Sequence, residues 1–220
     1  MKFKHTKYLT ILFLIIISSL IIGIKTKKSF DFSKIENLDI DSYTLYNSKE
    51  LESYYSQITD YNDLFEKSDL ILKISMTDSI EMVTRCTLSK VKVLSVIKGD
   101  IINEDEIYIY EPYIIRTPAS SILTYTGYLP MRPNEEYIVS LKSLEVPEGY
   151  KKTDKQKKSY MLVDPIFGKH NVKDSGIYIT DTPDDNIQYK DMKMNDVILT
   201  PSQLTQYNQI KESLQNLINS

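Results

Sequence analysis

Residues 81–98 read EMVTRCTLSKVKVLSVIK. Met82, Thr84, Cys86 and Leu88 fall on even positions, Val91 and Val93 continue on odd ones, and Leu94 and Val96 return to even. A strand alternates its faces with a period of two, so a buried face cannot change phase without an extra residue. The stretch therefore predicts two strands, or one long strand bent by bulges near Ser89 and Val93, and bent strands close barrels. Upstream, Leu70, Leu72, Ile74 and Met76 alternate with Ile71, Lys73 and Ser75 as a strand with one buried face. Downstream, Lys98-Gly99-Asp100 is a turn, followed by strands at Ile107 and Ile109 and at Tyr137, Val139 and Leu141. Further strands are expected at 160–163, 168–172 and 177–179.

Helices flank this β-rich centre. Asn47 stands three residues before Glu50, the spacing of a capping box, and Leu51, Tyr54, Tyr55 and Ile58 follow at helical spacing, which predicts a helix over 48–58. Asp60 and Asp63 open a second short helix ending at Lys67 and Ser68. Thr200-Pro201 begins a C-terminal amphipathic helix with Leu204, Tyr207, Ile210, Leu214 and Leu217 as its apolar stripe, expected to pack on the sheet. The fold class is α+β.

Residues 8–24, from Tyr8 through Ile15 to Ile24, carry no charge and are flanked by Lys2, Lys4 and Lys7 and by Lys25, Lys27 and Lys28. This is the pattern of a single-pass transmembrane signal-anchor, with a cleaved signal peptide as the alternative. The triplet ending at Gly23 has Ile21 where a cleavage site prefers a small residue, which favours the anchor. Three Lys on each side leave the orientation tied; acids beginning at Asp31 favour a body outside the cell membrane. The organisation expected is a tail and span over 1–28, a stalk over 29–46 and an extracytoplasmic domain over 47–220.

The 220 residues carry a net charge of −3, but residues 1–28 hold six Lys and no acid. That leaves 21 basic against 30 acidic side chains, a net of −9, for the rest. An acidic body is repelled by nucleic acid, so no nucleic-acid partner is expected. Six Gly leave little for phosphate-cradling loops, and one Cys with two His cannot build a closed zinc site, so no cofactor or metal is expected.

Glu111 shares phase with Ile107 and Ile109 and is the best acid/base candidate; the competing reading is a structural ion pair with Arg85, Arg116 or Arg132. His170 is the one histidine beyond the N-terminal tail, so histidine-based proton transfer must use it, although no nucleophile elbow accompanies it. Cys86, in phase with Met82 and Leu88, reads as a buried thiol. Asp181, Asp184, Asp185 and Asn186 lack the spacing of a calcium loop and read as a turn. Lys151, Lys152, Lys155, Lys157 and Lys158 form a basic run between strands, a solvated loop or a contact for an anionic polymer.

Four segments in order, S-D-L-I-L-K-I (68–74), V-K-V-L-S-V-I-K-G-D (91–100), I-Y-I-Y-E-P (107–112) and G-Y-L-P-M-R-P-N-E-E-Y-I-V-S-L (127–141), resemble small uncharacterised exported or membrane-anchored proteins of Gram-positive bacteria. More distantly they are similar to the OB-like barrel of tissue-inhibitor and netrin-type modules. The resemblance implies an OB-like barrel and no catalytic residues, and the disulfide-tied edge by which those modules act is missing. The expectation is a membrane-anchored binding or interaction module whose partner is a protein or polymer of the cell envelope. The alternatives are an envelope hydrolase using Glu111 with a second carboxylate in a concave pocket, and a partner-dependent sensor or regulator.

Overall fold

The computed structural model describes residues 2–29, 40–48, 57–101, 105–173, 176–180 and 187–219. The chain divides into two compact units, Met1–Asn37 and Leu38–Ser220. The first unit contains one helix, α1 (Lys2–Ser29). Its side chains from residue 11 to residue 24 are exposed. Among the described residues no helix is long and apolar enough to cross a membrane. This corrects the expected transmembrane signal-anchor over Tyr8, Ile15 and Ile24, and with it the single-pass topology and the outer placement that depended on it.

The second unit is α+β with strands predominating. β1 (Thr44–Ser48) and α2 (Tyr61–Lys67) lead into two long strands, β2 (Leu70–Val83) and β3 (Cys86–Lys98), and then β4 (Glu106–Glu111). β5 (Tyr113–Arg116), β6 (Ser121–Tyr125) and β7 (Glu136–Ser143) follow, then α3 (Asp154–Lys157), β8 (Ser159–Leu162) and β9 (Lys169–Asn171). The chain continues with β10 (Gly176–Ile179), β11 (Ile187–Gln188), α4 (Tyr189–Met192), β12 (Asn195–Leu199) and α5 (Pro201–Asn219).

Five strands close a ring in the order β2-β3-β4-β8-β7-β2. All neighbours are antiparallel except β4 and β8, which pair in parallel with Tyr108 opposite Ser159. This is the topology of a five-stranded OB-type barrel. The phase change in 81–98 has two physical sources. Residues 81–83 finish β2 and 84–85 form the hairpin turn, so the run contains two strands. The ladder between β2 and β3 then shifts register between Met76 and Ile80, Lys73 and Ile74, and Ile71 and Leu72. The first adds two residues on β2 and the other two each add one on β3, which bends the pair and lets it curl into the barrel.

The fifth position of the ring is shared by β8 and β9, which pair in succession along the same strand, β7. Between them 164–168 leaves the barrel as a tight turn, with Asp164 Oδ1 accepting the backbone N–H groups of Ile166 at 2.7 Å and Phe167 at 2.8 Å. Gly168 is required there, because a Cβ would lie 2.4 Å from the Asp164 carbonyl oxygen.

A second sheet, in the order β11-β1-β6-β5, continues from β4 through the corner at Pro112, and β10 pairs in parallel with β12. Asn47 belongs to β1, and its Oδ1 accepts the Gly127 N–H at 2.8 Å rather than capping a helix; the remainder of the expected helix over 48–58 falls largely outside the described residues. The stalk segment likewise supplies β1 to this sheet. Asp60 does cap α2, accepting Asp63 N–H at 2.9 Å. Tyr207, Ile210 and Leu214 of α5 join Leu64, Ile71, Ile138, Val163 and Leu199 in one buried cluster, which seats α2 and α5 on the barrel.

Candidate binding groove and buried charge cluster

Glu111 ends β4 pointing inward and is fully buried. None of its hydrogen-bond partners is an arginine. Ser89 Oγ donates to Oε1, while Tyr128 Oη donates to Oε2 at 2.5 Å and the Met131 N–H donates to it at 2.9 Å. Three donors match an ionised carboxylate. Burial raises its pKa, while these donors and the charge of Lys169 act against the rise.

Lys169 is also buried, and its charge acts on Asp196 and, less strongly, on Glu111. Its Nζ donates to the carbonyls of Leu129 at 2.5 Å and Asp196 at 3.0 Å. It also sits over the ring of Tyr128, 4.5 Å from the centroid, and over Tyr137 at 5.4 Å. Burial pushes the ammonium down to about 8. The arginine expected near Glu111, Arg132, instead binds Asp196 at 3.0 Å and Glu135 at 3.2 Å. Arg85 occupies the β2–β3 turn and Arg116 the exposed end of β5. The fold thus does not gather the three arginines.

His170 is equally sealed. Its Nε2 lies 2.8 Å from the Phe167 carbonyl, and its ring packs on Tyr207 with centroids 4.7 Å apart. Burial pushes it down to about 3, so the ring is neutral and Nε2 carries the proton that Phe167 accepts. Lys169 and His170 are both buried because β9 is covered on both faces, one by the barrel's tyrosines and the other by α5. Burial also pushes the Cys86 thiol up to about 11, which keeps it protonated.

Lys151 and Lys152 lie in irregular backbone, Lys155 and Lys157 lie in the one-turn helix α3, and Lys158 follows it. Thr153 and Gln156 form a capping box at the start of α3. Lys152 Nζ reaches the Leu144 carbonyl at 2.6 Å, Lys157 pairs with Asp154 at 2.8 Å, and Lys155 pairs with Glu81 beside the hairpin end. Lys155 also lies 4.6 Å above the Tyr108 ring. Together with β3 and β4 this segment walls a solvent-open groove of about 670 Å³, lined by Lys92, Glu106, Tyr108, Asp154, Lys155 and Lys158. Lys151 is exposed outside it. Asp181, Asp184, Asp185 and Asn186 lie outside the described residues, and no cluster of metal-ligating side chains occurs among those described.

The groove joins Lys155 and Lys158, which the charge run had singled out, to Lys92 and Tyr108, which it had not. Lys92 and Tyr108 were legible only as outward residues of alternating strands, and their placement beside the run depends on the parallel β4–β8 seam. The chain matches no known protein family, and no curated protein is similar to it. Fold and groove together define a class by architecture: a closed five-stranded barrel with a polar groove open to solvent.

Proposed function

We propose that this protein is a non-catalytic binding module that holds an extended polar polymer in the groove between β3, β4 and residues 144–158. The observation that carries the reading is the contrast between this open groove and the sealed positions of Glu111 and His170. A general acid or base must reach the proton it moves, directly or through one water, and neither side chain touches solvent. Asp154, the carboxylate beside α3, is held below the usual range by Lys157, opposite to what a general acid requires. In OB-type barrels the second and third strands and the loop before the fifth strand form a binding face for linear chains. Here those parts are β3, β4 and the α3 segment, and the groove offers lysines, carboxylates and one aromatic ring. The acidity of residues 29–220 disfavours a densely phosphorylated chain such as nucleic acid, and the mix of lysines, carboxylates and a tyrosine ring suits the hydroxyls and sparser charge of a saccharide chain.

Chemical-shift mapping with an oligogalacturonate and with maltohexaose tests this. Saturable shifts confined to Lys92, Tyr108, Lys155 and Lys158, weakened about tenfold by Tyr108→Ala, are expected. Shifts elsewhere, or none with either chain, would refute the assignment.

A further inference from the structure

A second cavity, of about 300 Å³, lies beside the 164–168 turn and the start of α5. Ile58, Pro165, Ile166 and Phe167 give it an apolar wall, and Thr126, Gln203 and Gln206 supply polar groups. Its volume is at the lower end of small-molecule sites. Among the described residues no lysine or arginine lines it; Asp164 does, with its Oδ1 occupied by its own turn.

Thr126 stands out in two ways. It is a β-branched residue at φ +55°, in the left-handed region that such residues rarely adopt, held there as its N–H donates to the Ser48 carbonyl at 2.8 Å. Its hydroxyl oxygen is shielded from solvent and has no hydrogen-bond partner. Strain and an orphaned polar atom at one cavity wall are features that a bound group would explain.

The two glutamines show what that group would be. Gln203 Oε1 accepts the N–H and the hydroxyl of Thr200, both at 2.9 Å, which leaves its NH₂ as a donor. Gln206 Nε2 donates to the Ile58 carbonyl at 2.6 Å, which leaves its Oε1 as an acceptor. Three residues apart on one helix, the two side chains share a face. One donor and one acceptor on the same helix face, next to an apolar wall, are complementary to a secondary amide carrying a small apolar substituent. We propose that this cavity is a binding site for a neutral secondary amide, with Gln203 and Gln206 engaging the amide and Thr126 supplying a further hydrogen bond.

The amide could belong to an acetylated sugar or to a peptide main chain, so the probes are N-acetylglucosamine and N-acetylalanine N-methylamide, with glucose as the control. Titration of the full chain is followed by protein-observed NMR. Saturable shifts at Thr126, Gln203 and Gln206 with at least one amide probe and none with glucose are expected, and the probe that binds identifies the source. Thr126→Gly removes both the hydroxyl and the strain, so it should weaken binding by on the order of tenfold while leaving the melting temperature equal or higher. Thr126→Ser keeps the hydroxyl and should retain binding. Gln206→Ala provides an independent loss. Equal response to glucose, no saturable response to either amide, or Thr126→Gly and Gln206→Ala variants that bind like the parent would overturn the proposal.

Discussion

Lys169 shows how one side chain organises its surroundings. Its ammonium satisfies two carbonyl groups, sits over two tyrosine rings and carries a positive charge that acts on Asp196 and Glu111. Lys169→Met keeps most of the volume but leaves the Leu129 and Asp196 carbonyls without their donor and removes the buried positive charge near Glu111 and Asp196. The expected loss in urea denaturation is about 3 kcal/mol. A set of buried groups also fixes the pH dependence. His170 titrates near 6.5 unfolded and about 3 folded, so the unfolded chain takes up the proton first and stability falls as pH drops through that window. Lys169 titrates at about 8 folded and 10.5 unfolded, so its burial cost is present in full below 8 and is relieved as pH rises toward 10.5. Glu111, raised by burial, works in the opposite sense just above 4.5. The buried tyrosines 113 and 128, both raised above 10.0, withdraw stability as pH rises past that value. Maximum stability is therefore expected between about pH 8 and 10, and His170→Phe should flatten the acid limb of urea midpoints measured from pH 4 to 7.

At the scale of elements, the β2–β3 hairpin turns on Arg85 at φ +65°, a position that suits glycine. Arg85→Gly should raise stability by about 1 kcal/mol in thermal or urea melts, since it touches neither the groove nor the core. Individual strands were legible because one buried face gives period-two alternation, as at Leu70 to Met76. Asp60 was legible because capping is local, and the apolar stripe of α5 because it repeats at helical spacing. Local rules failed where a distant partner decided. Asn47 has the spacing of a cap but pairs in β1, since Gly127 supplies its donor from 80 residues away. The capping box of α3 was present in Thr153 and Gln156, yet the surrounding lysines dominated the reading of that segment. The burial of Lys169 was not legible, because nothing in one sequence shows that α5 will cover the other face of its strand.

For the molecule as a whole, Gly127 is a junction. Its N–H meets Asn47 of β1 and its carbonyl accepts Ile198 N–H of β12 at 2.8 Å, while its φ of +84° places a notional Cβ 2.2 Å from the Ile198 carbonyl oxygen. Gly127→Ala must push two sheets apart, and a loss of about 3 kcal/mol is expected in the same melts. Unfolding followed by tyrosine fluorescence and by far-UV circular dichroism should remain coincident in the parent, because the buried cluster ties α2 and α5 to the barrel strands. The groove and the charge cluster both emerge only at this scale, from strands that are distant in sequence.

The parallel seam between β4 and β8 joins positions about 50 residues apart. A growing chain that has released β2, β3 and β4 therefore holds an unfinished ring, with the outer edge of β4 waiting for a partner not yet synthesised. Ring closure carries a large loop-entropy cost before any contact repays it, which makes it the expected slow step. Until Ser159 emerges, that edge is where a nascent chain is most exposed to pairing with a neighbour, and where a chaperone would be of most use.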